Sequence, residues 1–349
     1  MSIQRPRRPP RPTGDPDLDD RLIRFVEGLD PVDQRIALEA VATLLQLSHD
    51  NVSRLDRKIA NTALKEMRHA FNVFAPLRAR RKVTIFGSAR TPKGHPEYEA
   101  AKEFAHEMAA RGWMVVTGAG PGVMEAGHEG ASAEHSIGVN IILPWEAKPN
   151  PVIADNPKLI NFKFFFTRKL MFIKESDAFV LFPGGFGTLD ETFELLTLIQ
   201  TGKSDLHPIV MVDVPGGTYW QRVEAFMREE LLANMFIEES DFDLFRITDS
   251  VTDAISEIEQ FYRVYHSERW IGRDLVLRLN AAPSDAMIAS LNEEFGDFLE
   301  SPVVRVEVSD AERRDGDVPD LPRLALRPDR ARIGPLRRIV DRLNAEIEL

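Results

Sequence analysis

The chain has no cysteine among its 349 residues. Disulfides, zinc–thiolate sites and a cysteine nucleophile are thereby excluded, and a reducing cytoplasm fits. No apolar run approaches the roughly 20 residues of a membrane-spanning helix, and the Pro- and Arg-rich start, Met1 to Gly14, lacks the apolar core of a signal peptide. Basic charge is also short: 44 Lys and Arg face 55 Asp and Glu, a net charge of −11. That argues against a general binder of nucleic acid or membrane surfaces, while a small phosphorylated molecule needs only local positive charge. The eight histidines form no H-E-x-x-H or other metal spacing, His128, His135 and His207 being isolated, and no G-x-S-x-G elbow occurs. A metal site and a serine hydrolase are disfavoured. The expectation is a soluble cytoplasmic protein.

What the chain does have is 43% hydrophobic content, ample for a sizeable core, in a length that favours one main domain with additions. Residues 1–17 read as a disordered tail with nothing to bury. Helical patterns over Leu18–Leu29, Pro31–Leu47 and Leu55–Phe74 follow, the second with Asp30 as N-cap and Pro31 at the first helical position. They form a helical prefix, residues 18–80, expected to pack on the main domain or on another subunit. From Lys82 strands and helices alternate. Strands are expected at Lys82–Phe86, Trp113–Thr117, Ser136–Ile142, Leu159–Asn161, Asp177–Phe182, Pro208–Val212 and Leu244–Ile247. The pattern implies an α/β fold over residues 81–266, a Rossmann-like doubly wound parallel sheet with helices on both faces, whose ligands bind outside the carboxyl ends of the strands. After Glu268 a small α+β unit, residues 267–349, is expected. Its strands are Asp274–Leu279, Val303–Val308 and Arg323–Arg327, its helices Ser284–Leu299 and Arg332–Leu343, with Ser309–Asp320 a loop. This β-α-β-β-α order is similar to small ferredoxin-like or ACT-like units.

The most informative segment runs from Leu181 to Glu191, Leu-Phe-Pro-Gly-Gly-Phe-Gly-Thr-Leu-Asp-Glu, and joins a buried-strand pattern to a helix through a glycine-rich elbow. Pro183 ends the strand, and Gly184, Gly185 and Gly187 let the backbone approach a ligand. Thr188 opens a helix whose N–H groups and dipole face an anion. Glu191, read as lying in the first helical turn, is either a capping partner or a catalytic group beside a bound phosphate. Other features sit at strand ends. Phe86 to Arg90 carries Gly87 and Ser88, for which a tight turn is the commoner explanation. In Thr117 to Gly127 the glycines at 118, 120 and 122 look superficially like a dinucleotide fingerprint, but no acidic ribose partner follows, which disfavours NAD. Arg168 and Lys169 interrupt the apolar stretch from Phe164 to Met171, as a solvated helix face or as cations for a phosphate or carboxylate. Glu125 reads as a capping or packing residue, Asp190 and Glu194 as solvated helix residues, and Glu146 lies in a loop past a strand end.

The pairing of Phe-Thr-Arg168-Lys169-x-Met171 with Pro183 to Glu191 resembles the LONELY GUY family of phosphoribohydrolases, which release cytokinin bases from riboside 5′-monophosphates and whose bacterial members are often mislabelled lysine decarboxylases. Phe86 to Arg90, Gly118 to Glu125 and Thr197 to Lys203 agree. The resemblance spans about Lys82 to Tyr265, and the helical prefix is similar to the bacterial type II branch. It implies Arg168 and Glu191 as the catalytic pair, and a 5′-phosphate held by Gly184, Gly185, Phe186, Gly187 and Thr188. Lys169 and Thr197 are then substrate contacts, and Gly87, Ser88, Gly118 and Met124 border the nucleoside, with Glu146 from its loop. The implied reaction takes AMP or an N6-substituted AMP to free base and ribose 5-phosphate. It needs no cofactor or metal and involves neither nucleic acid nor membrane. A homo-oligomer, a dimer or a hexamer built from dimers, is implied too. A general nucleoside 5′-monophosphate nucleosidase and a non-hydrolytic nucleotide- or cofactor-binding protein are the alternatives. The presence of both Arg168 and Glu191 favours the enzyme.

Overall fold

The computed structural model describes residues 15–143, 148–316, 318–330 and 332–348. Most of the tail expected over residues 1–17, and the loop position Glu146, lie outside them. The chain forms two compact units, residues 1–66 and 67–349. The first holds α1 (Pro16–Phe25), α2 (Pro31–His49) and most of α3 (Arg54–Phe74). Asp15 accepts from the N–H groups of Asp17 and Leu18, and Asp30 from that of Val32, so each carboxylate satisfies donors that a helix start leaves open.

The second unit is built on a seven-stranded sheet. Its strands are β1 (Lys82–Phe86), β2 (Met114–Thr117), β3 (Ser136–Ile141), β4 (Leu159–Phe162), β5 (Ala178–Leu181), β6 (Ile209–Val212) and β7 (Phe245–Thr248). All pairs are parallel, in the order β4-β3-β2-β1-β5-β6-β7. Every residue of β1, β2, β5 and β6 is buried, so β5 and β6 read as unbroken apolar runs, while β1 and β2 also bury the polar residues Lys82, Thr84 and Thr117. Val83, Ile85, Val115, Val180 and Val210 pack against α4 (Pro96–Ala110), α5 (Val123–His135) and α9 (Val251–Phe261). Phe86, Val116, Phe179, Leu181 and Met211 belong to the core of the opposite face, with α6 (Phe165–Glu175) and α7 (Phe186–Gln200). After β6, α8 (Tyr219–Phe226) is followed by a π-helical turn, Met227–Leu232.

The C-terminal part keeps its expected elements in order and adds two. Tyr265–Ile271 forms a strand, β8, that hairpins onto β9 (Asp274–Leu279). After α10 (Asp285–Glu294) come β10 (Leu299–Arg305), α11 (Asp310–Asp315), β11 (Arg323–Pro328) and α12 (Gly334–Glu346), giving an antiparallel sheet in the order β10-β11-β9-β8. The expected β-α-β-β-α is present as β9-α10-β10-β11-α12, with β11 antiparallel between β9 and β10; β8 is added ahead of it and α11 between β10 and β11. Its core is not separate: Leu275, Leu277, Leu324, Ile339 and Leu343 are continuous with the core of the parallel sheet. The segment expected as a loop contains α11 because Ser309 and Glu312 form a reciprocal capping box.

Candidate functional site

Strand order reverses at β1. β2, β3 and β4 are added on one side, and the chain then crosses to add β5, β6 and β7 on the other. A crevice at the carboxyl ends of the two strands flanking such a reversal is where open α/β sheets bind ligands. Here those ends are the turn Gly87–Ser88 after β1 and the elbow Pro183–Gly185 after β5. They are tied together: the Ser88 N–H donates to Pro183 O at 3.1 Å, and that of Phe182 to Phe86 O at 2.8 Å.

Gly184 is required by close approach, since a Cβ there would collide with the Thr188 hydroxyl and stand 3.0 Å from the Ser88 nitrogen. The Tyr219 hydroxyl donates to Gly184 O at 2.7 Å and steadies the elbow from the side of α8. Gly185 and Gly187 differ, with nothing within 4 Å of the place a Cβ would occupy. The protein's own packing makes no demand for glycine at either position. The helix starts at Phe186 with Gly185 as N-cap, two residues earlier than expected, because Gly185 is extended and leads straight into helical backbone. Glu191 consequently lies in the second turn, not the first. Among the described residues no side chain caps α7, and its first turn carries no acidic residue. Its leading N–H groups and the positive end of its dipole face the crevice mouth, with Thr188 buried behind them.

α6 supplies the cations. Arg168 donates from Nε to Val139 O at 2.8 Å and lies 5.1 Å from the centre of the Phe172 ring. Its guanidinium and the Met124 sulfur fill the space a side chain would need at Gly118. The Lys169 ammonium stands 2.9 Å from Asp190, 2.5 Å from Glu194 and 3.8 Å from Glu191. Burial alone would lower Lys169, but the hydrogen bonds to Asp190 and Glu194 outweigh it and hold the ammonium above its ordinary range. Glu191 is 9% exposed. Burial pushes its carboxyl up to about 7, with the charges of Lys169 and Arg168 pulling the other way. Near neutral pH it exchanges a proton readily, a property suited to acid–base work or to stabilising a nearby cation.

The structure thus brings Gly87, Ser88, Gly118, Met124, Arg168, Lys169, Gly184, Gly185, Gly187, Thr188 and Glu191 to one end of the sheet. Two expected residues contribute no side chain to it. Phe186 is 94% exposed, so it takes part only through the backbone N–H that leads α7. Thr197, further along α7, donates to Phe193 O at 2.7 Å and lines a separate cavity of about 160 Å³ with Gln200, Met227 and Phe242. A larger apolar groove of about 510 Å³, between Leu189, Phe193, Tyr219 and Phe226, lies on the side of α7 away from Glu191. Sequence reasoning missed Tyr219 and took Asp190 and Glu194 for solvated residues. Only the i, i+4 spacing of Asp190 and Glu194 hinted that they share a face. Glu125, read as capping or packing, pairs with Lys93 at 2.9 Å.

An α/β protein with an anion-ready helix start at its switch point is the class these features define. A family described as "Possible lysine decarboxylase" matches residues 119–258. A protein of Mycobacterium tuberculosis (strain ATCC 25618 / H37Rv) named cytokinin riboside 5′-monophosphate phosphoribohydrolase is 32% identical over 170 residues, 48% of this chain and 88% of that relative. The Arabidopsis thaliana protein named cytokinin riboside 5′-monophosphate phosphoribohydrolase LOG3 is 26% identical over 187 residues, 52% of this chain and 83% of its own. A solved molybdenum cofactor binding protein from Rippkaea orientalis is 20% identical with a TM-score of 0.37, covering 52% of this chain and 96% of that one, too distant to bear on fold or function. The chain belongs to the cytokinin riboside 5′-monophosphate phosphoribohydrolase family, the LONELY GUY family.

Proposed function

We propose that this protein hydrolyses the N-glycosidic bond of AMP or an N6-substituted AMP, giving the free base and ribose 5-phosphate. The observation that carries the reading is the pairing, at one switch point, of an uncapped helix start having open space at Gly185 and Gly187 with a buried Glu191 that burial holds near 7. The names of its relatives point the same way.

In this reading the 5′-phosphate sits on the first N–H groups of α7 and the Thr188 hydroxyl, where the dipole favours negative charge. That grip, remote from the broken bond, supplies positioning energy. As the bond from C1′ to the base nitrogen breaks, its electron pair leaves with the base and positive charge develops at C1′ and O4′. Ionised Glu191 stabilises that charge and orients a water, whose oxygen bonds to C1′ while its proton passes to the carboxylate and on to the departing base. Arg168, always protonated, orients the nucleotide and offsets charge on the leaving base without serving as an ordinary acid. Lys169 draws Glu191 back toward its ionised form against the pull of burial. Held protonated by carboxylates, it is poorly suited to the Schiff base a pyridoxal-dependent decarboxylase requires of its lysine. A homo-oligomer and a cytoplasmic setting belong to the same proposal, and the mass of the purified protein in solution tests the first.

The direct test incubates purified protein with AMP and with isopentenyladenosine monophosphate and measures ribose 5-phosphate. Release from either is expected. Tight binding of both with release from neither would sink the hydrolase and favour a nucleotide-binding protein, and equal turnover of pyrimidine monophosphates would widen the reading to a general nucleosidase.

A further inference from the structure

Beside the crevice, the turn Gly118–Gly120 after β2 contains a non-glycine residue in left-handed backbone: Ala119 has a φ of 63°. For a residue with a Cβ that conformation is unfavourable, so something must hold it. Three buried side chains do. The Ala119 N–H donates to Thr117 Oγ1 at 3.0 Å. Ala119 O accepts from the Asn150 backbone N–H at 2.9 Å and from Asn150 Nδ2 at 3.1 Å, and Gly120 O accepts from the same Nδ2 at 3.1 Å. His128 completes the set, with Nδ1 3.1 Å from Asn150 Nδ2 and Nε2 3.2 Å from Ile137 O and 3.1 Å from Thr117 Oγ1.

These contacts select one arrangement of hydrogens. Ile137 O can only accept, so Nε2 carries the imidazole proton and Nδ1 accepts from the Asn150 amide. One hydrogen of Nδ2 then goes to His128 and the other is shared by the two carbonyls. Thr117 and His128 are fully buried and Asn150 is 4% exposed. Burial pushes His128 down to about 4, so it stays neutral and the arrangement persists at ordinary pH.

The turn also forms a wall of the site, since the Arg168 guanidinium lies where a Gly118 side chain would be and Nε is already fixed on Val139 O. We propose that Asn150 is a positioning residue of the catalytic site: by clamping Ala119 in its left-handed conformation it fixes the backbone against which Arg168 is aimed. This rests on the hydrolase reading for its kinetic consequence. The phosphate elbow, on β5 and α7, has no hydrogen bond to Asn150, so the clamp bears on the reacting end of the nucleotide and not on its phosphate.

The test uses the full chain with Asn150→Ala, Asn150→Asp and the double variant Ala119→Gly, Asn150→Ala. Loss of the clamp lowers kcat about tenfold or more while KM stays within about twofold, because a small misplacement of an orienting group acts on the transition state. Asn150→Asp behaves as the alanine variant does, since a carboxylate cannot donate to the two carbonyls. The double variant regains several-fold of kcat, because glycine adopts left-handed backbone without the penalty. Hydrogen exchange gives a readout independent of turnover: amides of Ala119 and Gly120 exchange faster in Asn150→Ala while those of Val115 and Val116 do not. A wild-type protein that releases no ribose 5-phosphate defeats the hydrolase reading and leaves exchange to decide the clamp. Unchanged exchange, kcat equal to wild type, or absence of rescue by Ala119→Gly overturns it.

Discussion

Two buried carboxylates, one beside the parallel sheet and one against the antiparallel sheet, have opposite fates. Glu191, at the switch point, is pushed up to about 7. Glu312, on the short helix lying against the antiparallel sheet, is held down at about 2. Burial raises both, so desolvation is not what separates them. One Glu312 oxygen receives Arg278 at 3.1 Å and Arg323 at 3.3 Å, and the other receives the N–H and hydroxyl of Ser309 at 3.0 and 2.8 Å. Among the described residues Glu191 has only the Lys169 ammonium, at 3.8 Å, which Asp190 and Glu194 approach more closely. A carboxylate whose lone pairs are filled by the protein is structural. One left with unfilled lone pairs in a crevice is available to a ligand, and the cost of keeping it so falls on stability.

The sharpest way to break this contrast is to delete each group. Glu191→Ala is expected to lose turnover by about a thousandfold, the scale of removing a main electrostatic contributor, while folding and still binding nucleotide. Unchanged turnover would reject the catalytic assignment. Glu312→Ala leaves two buried guanidinium groups facing each other and is expected to cost about 3 kcal/mol in denaturant unfolding. Turnover per folded molecule should stay as in wild type, and a variant as stable as wild type would show that the clasp contributes nothing.

The same contrast explains what could be read in advance. The inner parallel strands were legible because both faces are covered: Ile209–Val212 is continuously apolar, and Lys82–Phe86 places apolar residues on both faces around Lys82 and Thr84. β8 was not, since it is an edge strand whose His266, Ser267, Glu268 and Arg269 blur any period. α11 was lost in a polar stretch, although Ser309 and Glu312 stood at capping-box spacing and announced it. At the site, the elbow was legible because backbone approach to an anion calls for glycine at set intervals. Asn150 and Tyr219 were not, because they reach Ala119 and Gly184 from 31 and 35 residues away and no local pattern records such a contact.

A smaller effect follows from the pH at which each carboxylate titrates. Glu191, raised from an ordinary value near 4.5 to about 7, keeps its proton in the folded state over a range where the unfolded chain has released it. Stability therefore falls as pH rises across that window, and the full penalty, on the order of 3 kcal/mol, is present above it. Glu191→Gln has no such dependence, so its gain in Tm over wild type should be larger at about pH 8 than at about pH 4.5. Glu312 runs the other way: its contribution is present above about 4.5 and disappears as pH falls towards about 2. A Tm difference for Glu191→Gln that does not change with pH would show that Glu191 titrates like a solvated carboxylate.

The smallest effect comes from the one cation beside Glu191 that other carboxylates already hold. Replacing it in Lys169→Met removes the nearest positive charge while leaving Asp190 and Glu194 in place, so the proton on Glu191 is held more tightly. If turnover needs ionised Glu191, it falls as pH drops below about 7 in wild type. In the variant this fall should begin about half a pH unit to one unit higher. Well above that range the two rates should converge, because both proteins are then ionised at Glu191. A rise in KM for the nucleotide with no movement of the acidic limb would instead make Lys169 a phosphate ligand, and the Asp190–Lys169–Glu194 arrangement would then have to open to receive substrate.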